Sequence, residues 1–251
     1  MRHALGRRSR LVDVARGKFG FLLVALISLL MSTPMMSEGG LLRSLIILFV
    51  AGVLVAGLYA VRPGRSSLHF GMIVAAVEFA IGRAAIVYPA RWLILAQMIL
   101  WIVALLYVTV AILEWVLDSP QVSIETLQAA FCVYLLLGLL WVYLYALTDL
   151  TTPDSFRVLN VPPCDWLDER SRRTEYMRLF VFSYATLTGT GLGGIEPGNG
   201  FSNILASLEA MSAQVYLAVV VARLVGMQAS PPPSTGQEDH PRPPELEDPD
   251  P

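Results

Sequence analysis

Apolar residues run through this chain in long blocks separated by short polar breaks. Six blocks near twenty residues long occur at 19–36, 42–61, 68–88, 92–117, 124–147 and 202–226. A helix needs about 20 apolar residues to cross the hydrocarbon of a bilayer, so each block predicts a membrane span. A seventh block, 179–187, is too short to cross and lies between the fifth and sixth spans. That placement predicts a short helix that enters the membrane and returns on the same side. The breaks carry turn chemistry: Ser37-Glu38-Gly39-Gly40, Arg62-Pro63-Gly64-Arg65, Pro89-Ala90-Arg91 and Asp118-Ser119-Pro120. The pattern predicts an all-α membrane protein with six transmembrane helices and a re-entrant helix and loop between helices five and six.

Composition agrees. Hydrophobic residues make up 55% and charged residues 15% of the 251, with a mean hydropathy of +0.59. The formal net charge of −2 hides an asymmetry. Arg2, Arg7, Arg8, Arg10, Arg16 and Lys18 precede the first span, against Asp13 alone, which favours a cytoplasmic amino terminus. The first block lacks a small-residue cleavage site and reads as a retained helix. From Ala229 the chain is rich in proline and acid, a composition that cannot bury enough apolar surface to fold. Four segments follow: a basic cytoplasmic terminus (1–18), a peripheral four-helix bundle (19–117), a unit from helix five to helix six (118–228) and an acidic cytoplasmic tail (229–251). Cys132 and Cys164 have neither metal nor disulfide spacing and are expected as free thiols.

Polar residues inside the spans are few. Glu78 in the third span is expected to pair with Arg83 or Arg91. The fourth span carries no arginine repeat, so a voltage-sensing charge array is excluded. Aromatics of the fifth span (Phe131, Tyr134, Trp141, Tyr143 and Tyr145) are expected to pack against the short helix and anchor the outer interface. Residues 148–175 read as a long polar connection, after which Thr174 and Glu175 start the short helix by capping and dipole complementarity. Arg178 then reaches solvent or Glu175. No cluster of His, Cys or paired carboxylates stands at catalytic spacing, and no nucleic-acid or nucleotide module is visible, so an enzyme is not expected.

The chemistry concentrates in Phe182-Ser183-Tyr184-Ala185-Thr186-Leu187-Thr188-Gly189-Thr190-Gly191-Leu192-Gly193-Gly194-Ile195-Glu196-Pro197. A pore that strips water from a cation needs backbone carbonyls stacked around one axis, with alternate residues in left-handed dihedrals. Gly191 and Gly193 permit this, and a helix ending just before them aims its negative dipole end at the ion. From Ser183 to Pro197 the chain resembles, without a gap, the pore segment of the potassium-channel family. Thr186, Leu187, Thr188, Gly191, Gly193, Ile195 and Pro197 stand where that family has them. Gly189 replaces a threonine that ligates the innermost ion, Leu192 an aromatic, and Gly194 an acid.

The resemblance implies a homotetramer in the plasma membrane (the bacterial inner membrane), with both termini cytoplasmic and lipid as the other partner. The filter is then Thr188, Gly189, Thr190, Gly191, Leu192 and Gly193, with Gly194 and Glu196 at the outer mouth. Ser183, Thr186, Glu209, Ala213 and Tyr216 line the pore or support the filter. No cofactor or bound metal is implied beyond permeant potassium and sodium. With no hydroxyl at Gly189 and no hydrogen bond from Leu192 to the short helix, weak discrimination against sodium is expected. Glu196 either concentrates cations or is a solvated turn residue. Glu209 either faces the cavity or sits behind the filter, hydrogen-bonded to Ser183 or a backbone amide; the second reading fits its outer-half position better. Ala213 stands where the family often has a hinge glycine, which argues against a glycine-hinge gate. The alternative is a non-conducting membrane sensor or assembly subunit that keeps the pore fold.

Overall fold

The computed structural model describes residues 18–32, 52, 65–88, 90–119, 121, 123–158, 161–191 and 194–229. Within them the protein is mostly helical, in the order α1 (Lys18–Ser32), α2 (Arg65–Val87), α3 (Arg91–Asp118), α4 (Ile124–Thr151), β1 (Phe156–Val158), α5 (Glu169–Thr188), β2 (Ile195–Pro197) and α6 (Gly200–Ala229). Three helices are long and apolar enough to cross a membrane: Arg91–Asp118, Ile124–Thr151 and Gly200–Arg223. The expected helix at 42–61 and both chain termini lie outside the described residues, as do Leu192 and Gly193.

Helices α3 and α4 form an antiparallel pair because only a short turn joins them. Ser119 closes α3 by donating its hydroxyl to the Trp115 carbonyl at 2.8 Å, and Ser123 caps α4 by accepting from Thr126 N at 3.2 Å. Two arginines mark opposite ends of the bundle. Arg91, at the start of α3, donates to the Leu150 carbonyl near the end of α4. Arg223 of α6 donates to the Ser119 carbonyl at 3.0 Å. The α3–α4 core repeats with helical period: Trp101, Leu105, Val108, Ile112 and Val116 meet Ala129, Val133, Leu136 and Leu140, with Phe19, Leu22 and Leu26 of α1 laid across them. A second core gathers at the Arg91 end from Ile94, Met98, Val142, Tyr145, Leu150, Phe156, Trp166, Leu179, Phe182 and Ile195. Outward-facing residues such as Phe21, Val103, Leu106 and Phe131 are apolar and exposed, the surface a bilayer would cover.

Three expectations change. The short helix does not begin at Thr174 but at Glu169, because Asp168 caps it, accepting from Ser171 N at 2.7 Å. Its first turns are polar and held by an Arg173–Glu169 ion pair at 2.7 Å, so they carry no hydrophobic signal. Thr174 donates within the helix to the Arg170 carbonyl at 3.1 Å. The connection at 148–175 is therefore not a plain loop. It contains β1, which pairs antiparallel with β2 in the register Phe156 to Pro197, Arg157 to Glu196 and Val158 to Ile195. The described residues, otherwise mostly helical, thus carry a short ladder that hydropathy could not register. Finally, Glu78 pairs with neither arginine: it is buried, and both carboxylate oxygens lack a hydrogen-bond partner. Arg91 is instead engaged with the end of α4, while Arg178 takes Glu175 at 3.2 Å, as expected.

Candidate functional site

Helix α5 ends at Thr188, and Gly189 closes it in a left-handed conformation (φ 70°, ψ 16°). Its amide meets the Ala185 and Thr186 carbonyls, and the Thr190 amide reaches back to Ala185 O at 3.0 Å. This wrapped helix end needs a residue that tolerates positive φ. Gly191 and Gly194 also adopt positive φ, 65° and 61°. The expected left-handed backbone is thus present at Gly191, and Gly189 shares it although the sequence pointed to Gly191 and Gly193. Thr188, Gly189, Thr190 and Gly191 are all exposed. The Thr188 hydroxyl donates to Tyr184 O at 2.7 Å and the Thr190 hydroxyl to Ala185 O at 3.3 Å. The Leu187 carbonyl accepts from Tyr134 OH of α4 at 3.0 Å. Much of the negative helix end is therefore already hydrogen-bonded within the protein.

A buried clasp positions α5 between α4 and α6. Ser183 contacts Glu209 Oε1 at 2.5 Å and the Gly138 carbonyl at 2.9 Å. Tyr145 donates to the other carboxylate oxygen of Glu209. All three side chains are wholly shielded from solvent. Of the two readings of Glu209, the hydrogen-bonded one is realised: it supports α5 and does not face open space. Ala213 is likewise buried, and half-buried Tyr216 donates to the Ala130 carbonyl at 2.6 Å. Neither lines an open face as a pore residue would. Thr186 donates to Phe182 O at 2.8 Å and stays within α5.

Gly138 matters for a steric reason. A Cβ there would stand 2.7 and 2.8 Å from ring carbons of Tyr184, closer than real contacts allow. The same ring is fixed by its hydroxyl, which donates to Leu135 O at 2.7 Å. Rings of Tyr145, Phe156 and Phe182 close a triangle with centroids 4.8, 5.3 and 5.4 Å apart, tying α4, β1 and α5 together. Of the fifth-span aromatics, Tyr134, Tyr143 and Tyr145 meet α5, while Phe131 faces outward.

A platform at the Arg91 end of the bundle hangs on Asp149. Its Oδ1 accepts from the amides of Ser155 (3.0 Å) and Phe156 (3.4 Å), and its Oδ2 from the Trp166 indole at 3.0 Å. Ser155 in turn accepts from the Gly198 amide (2.7 Å) and Asn199 Nδ2 (3.0 Å). Asn199 caps α6, accepting from Ser202 N at 2.9 Å. A single carboxylate therefore fixes the strand that pairs with the segment just past the glycines. Glu196 is exposed and sits in register with Arg157, which also pairs with Asp154 at 2.6 Å. Burial pushes the Glu175 carboxyl up, nearby Asp149 adds to this, and Arg178 opposes it.

Sequence reasoning missed Gly138, Asp149, Trp166 and Asn199. The visible signals were a glycine inside an apolar span and an acid at the end of one. Cys164 is free, as is Cys132. Burial pushes the Cys164 thiol up to about 12, which leaves about one thiolate per ten thousand molecules at pH 8. Maleimide labelling of Cys164 is expected to run at least about 100-fold slower than in the denatured protein at that pH. Equal rates would show that the loop does not bury the thiol.

No family model matches the chain, and neither does any curated protein or solved structure.

Proposed function

We propose that the chain is one subunit of a fourfold cation channel, conducting potassium with weak discrimination against sodium. Helices four, five and six of the described fold, with β1 and β2, form the pore unit of residues 118–228. The remaining helices of residues 19–117 form a peripheral bundle, giving six spans with both ends cytoplasmic in a bacterial inner membrane.

The observation that carries this reading is the path of the chain on either side of the glycines. The start of α5 is tied to the outer platform through Trp166, whose carbonyl accepts from Arg172 at 3.0 Å. Its end reaches Tyr134, which stands about 25 Å of helix before the end of α4. The chain then returns to β2, which is paired with β1 on the outer platform again. It enters and leaves on one side, with Thr188 to Gly191 exposed at the deep end and left-handed glycines between. This is the path of a re-entrant loop whose carbonyls can face a shared axis. One copy cannot make a ring, so closure requires rotational symmetry.

The test is flux from proteoliposomes containing the purified protein, whose assembly mass corresponds to four copies. Potassium and sodium gradients are both expected to drive flux. Flux with potassium alone would overturn the weak-selectivity part. A tetramer silent to both ions would favour the non-conducting sensor or assembly subunit, unless the Gly189→Thr, Leu192→Tyr variant regained flux.

A further inference from the structure

Helix α6 has three faces, and they do different things. Taking each residue as about 100° of rotation, Ser202, Glu209, Ala213 and Val220 fall on one face, and all four are buried against α4 and α5. Ile204, Leu208, Met211, Val215 and Val219 fall about 100° or more away and are apolar and exposed. Between them lies a third face carrying Asn203, Ser207 and Gln214, within about 40° of one another and all exposed. An exposed polar stripe beside an exposed apolar stripe is not what uniform contact with lipid would select.

The three polar residues are not equivalent. Asn203 donates to the Asn199 carbonyl at 3.0 Å and Ser207 to the Asn203 carbonyl at 2.9 Å, so both are satisfied along the helix. Gln214 is exposed and makes no such bond along the helix among the described residues. Its depth follows from its neighbours. Glu209 is level with Ser183, and Tyr216 stacks on Tyr134, centroids 6.2 Å apart, while Tyr134 holds the Leu187 carbonyl. Gln214 therefore lies level with the last turn of α5, at about the depth of Thr188 and Gly189. Further inward the same face carries Leu217, Ala218, Val221 and Val225, with no polar side chain among them.

We propose that Gln214 lines the inner mouth of the pore, and that four carboxamides there supply oxygen ligands to a hydrated monovalent cation. This rests on the channel reading above. Glycine at 189 offers no side-chain oxygen at the end of α5. A ring of Gln214 carbonyl oxygens would meet the ion where Gly189 supplies no side-chain ligand, and its neutral charge would let the ion move on.

The test compares potassium flux at low ionic strength through the tetrameric parent, Gln214→Glu and Gln214→Lys. Four added carboxylates are expected to raise flux and four ammoniums to lower it, each by roughly tenfold at low salt. Both effects should shrink at high salt. Should a charged variant fail to assemble, Gln214→Cys in a Cys164→Ser background takes its place. Flux through that variant should then be blocked by a cationic methanethiosulfonate, whereas Met211→Cys, on the apolar face, should be insensitive. Assembled variants that conduct like the parent, or an inert Gln214→Cys, would overturn the inference while leaving the channel reading intact. A parent that passes no cation overturns both.

Discussion

Replacing Glu209 by leucine is expected to destabilise the protein by about 2–4 kcal/mol, the largest effect of any single side chain in the clasp. The substitution removes the acceptor for Tyr145 and the partner of Ser183 at once. Both hydroxyls are fully buried, so neither can turn to water. Ser183 keeps the Gly138 carbonyl as a fallback, whereas Tyr145 is left facing apolar neighbours. An unmade buried hydrogen bond costs about 1–3 kcal/mol, more than the transfer of a carboxyl out of the interior returns. Glutamine keeps the shape: its oxygen can accept from Tyr145 while its Nε2 donates to Ser183, whose proton turns to the Gly138 carbonyl, so it should recover most of the loss. Thermal unfolding in detergent, followed by tryptophan fluorescence, checks the order: parent and Gln close together, Leu well below. Leucine as stable as glutamine would mean that the clasp contributes packing alone.

Gly138→Ala carries the second large effect, and its sign is informative. In a helix interior, alanine normally gains about 1 kcal/mol over glycine. Here the added methyl would overlap the Tyr184 ring, which is held by its hydroxyl and by neighbouring Phe180 at a centroid distance of 4.7 Å. Overpacking of this kind costs about 1–3 kcal/mol, enough to reverse the propensity gain. The alanine variant is therefore expected to be less stable than the parent. Shrinking the ring should relieve it, so Gly138→Ala with Tyr184→Leu should lose less than the two single changes together. Thermal midpoints of the four proteins measure this coupling. A stabilised alanine variant would place α5 farther from α4 than described.

How much of this was legible in the sequence depends on what each feature is made of. Hydropathy located α3, α4 and α6 to within a few residues, because burial in lipid and in the core both demand apolar side chains. It found just the apolar half of α5, since the first turns are held by Asp168, Glu169 and Arg173 and carry no apolar period. The β1–β2 ladder was invisible for a related reason: three-residue strands held by backbone bonds and by Asp149 leave little trace in composition. The Ser183–Glu209 contact was foreseeable from the position of the acid in its helix. The third member, Tyr145, was not, because an aromatic in a membrane helix more often packs than donates. Glu78 shows the opposite failure. Pairing was expected from the cost of a buried charge, yet the backbone turns Arg91 toward Leu150.

The central claim is that the segment after α5 lies in the path of ions, and one residue tests it most directly. Thr190 is exposed, two residues past the helix end and between two left-handed glycines. In a Cys164→Ser background, a membrane-impermeant cationic methanethiosulfonate applied from the outer side should abolish cation flux through Thr190→Cys. The same reagent should leave flux through Val181→Cys, on the exposed flank of α5, unchanged. A protein that conducts normally with Thr190→Cys fully modified would contradict the account, because the ions would then be travelling by another route.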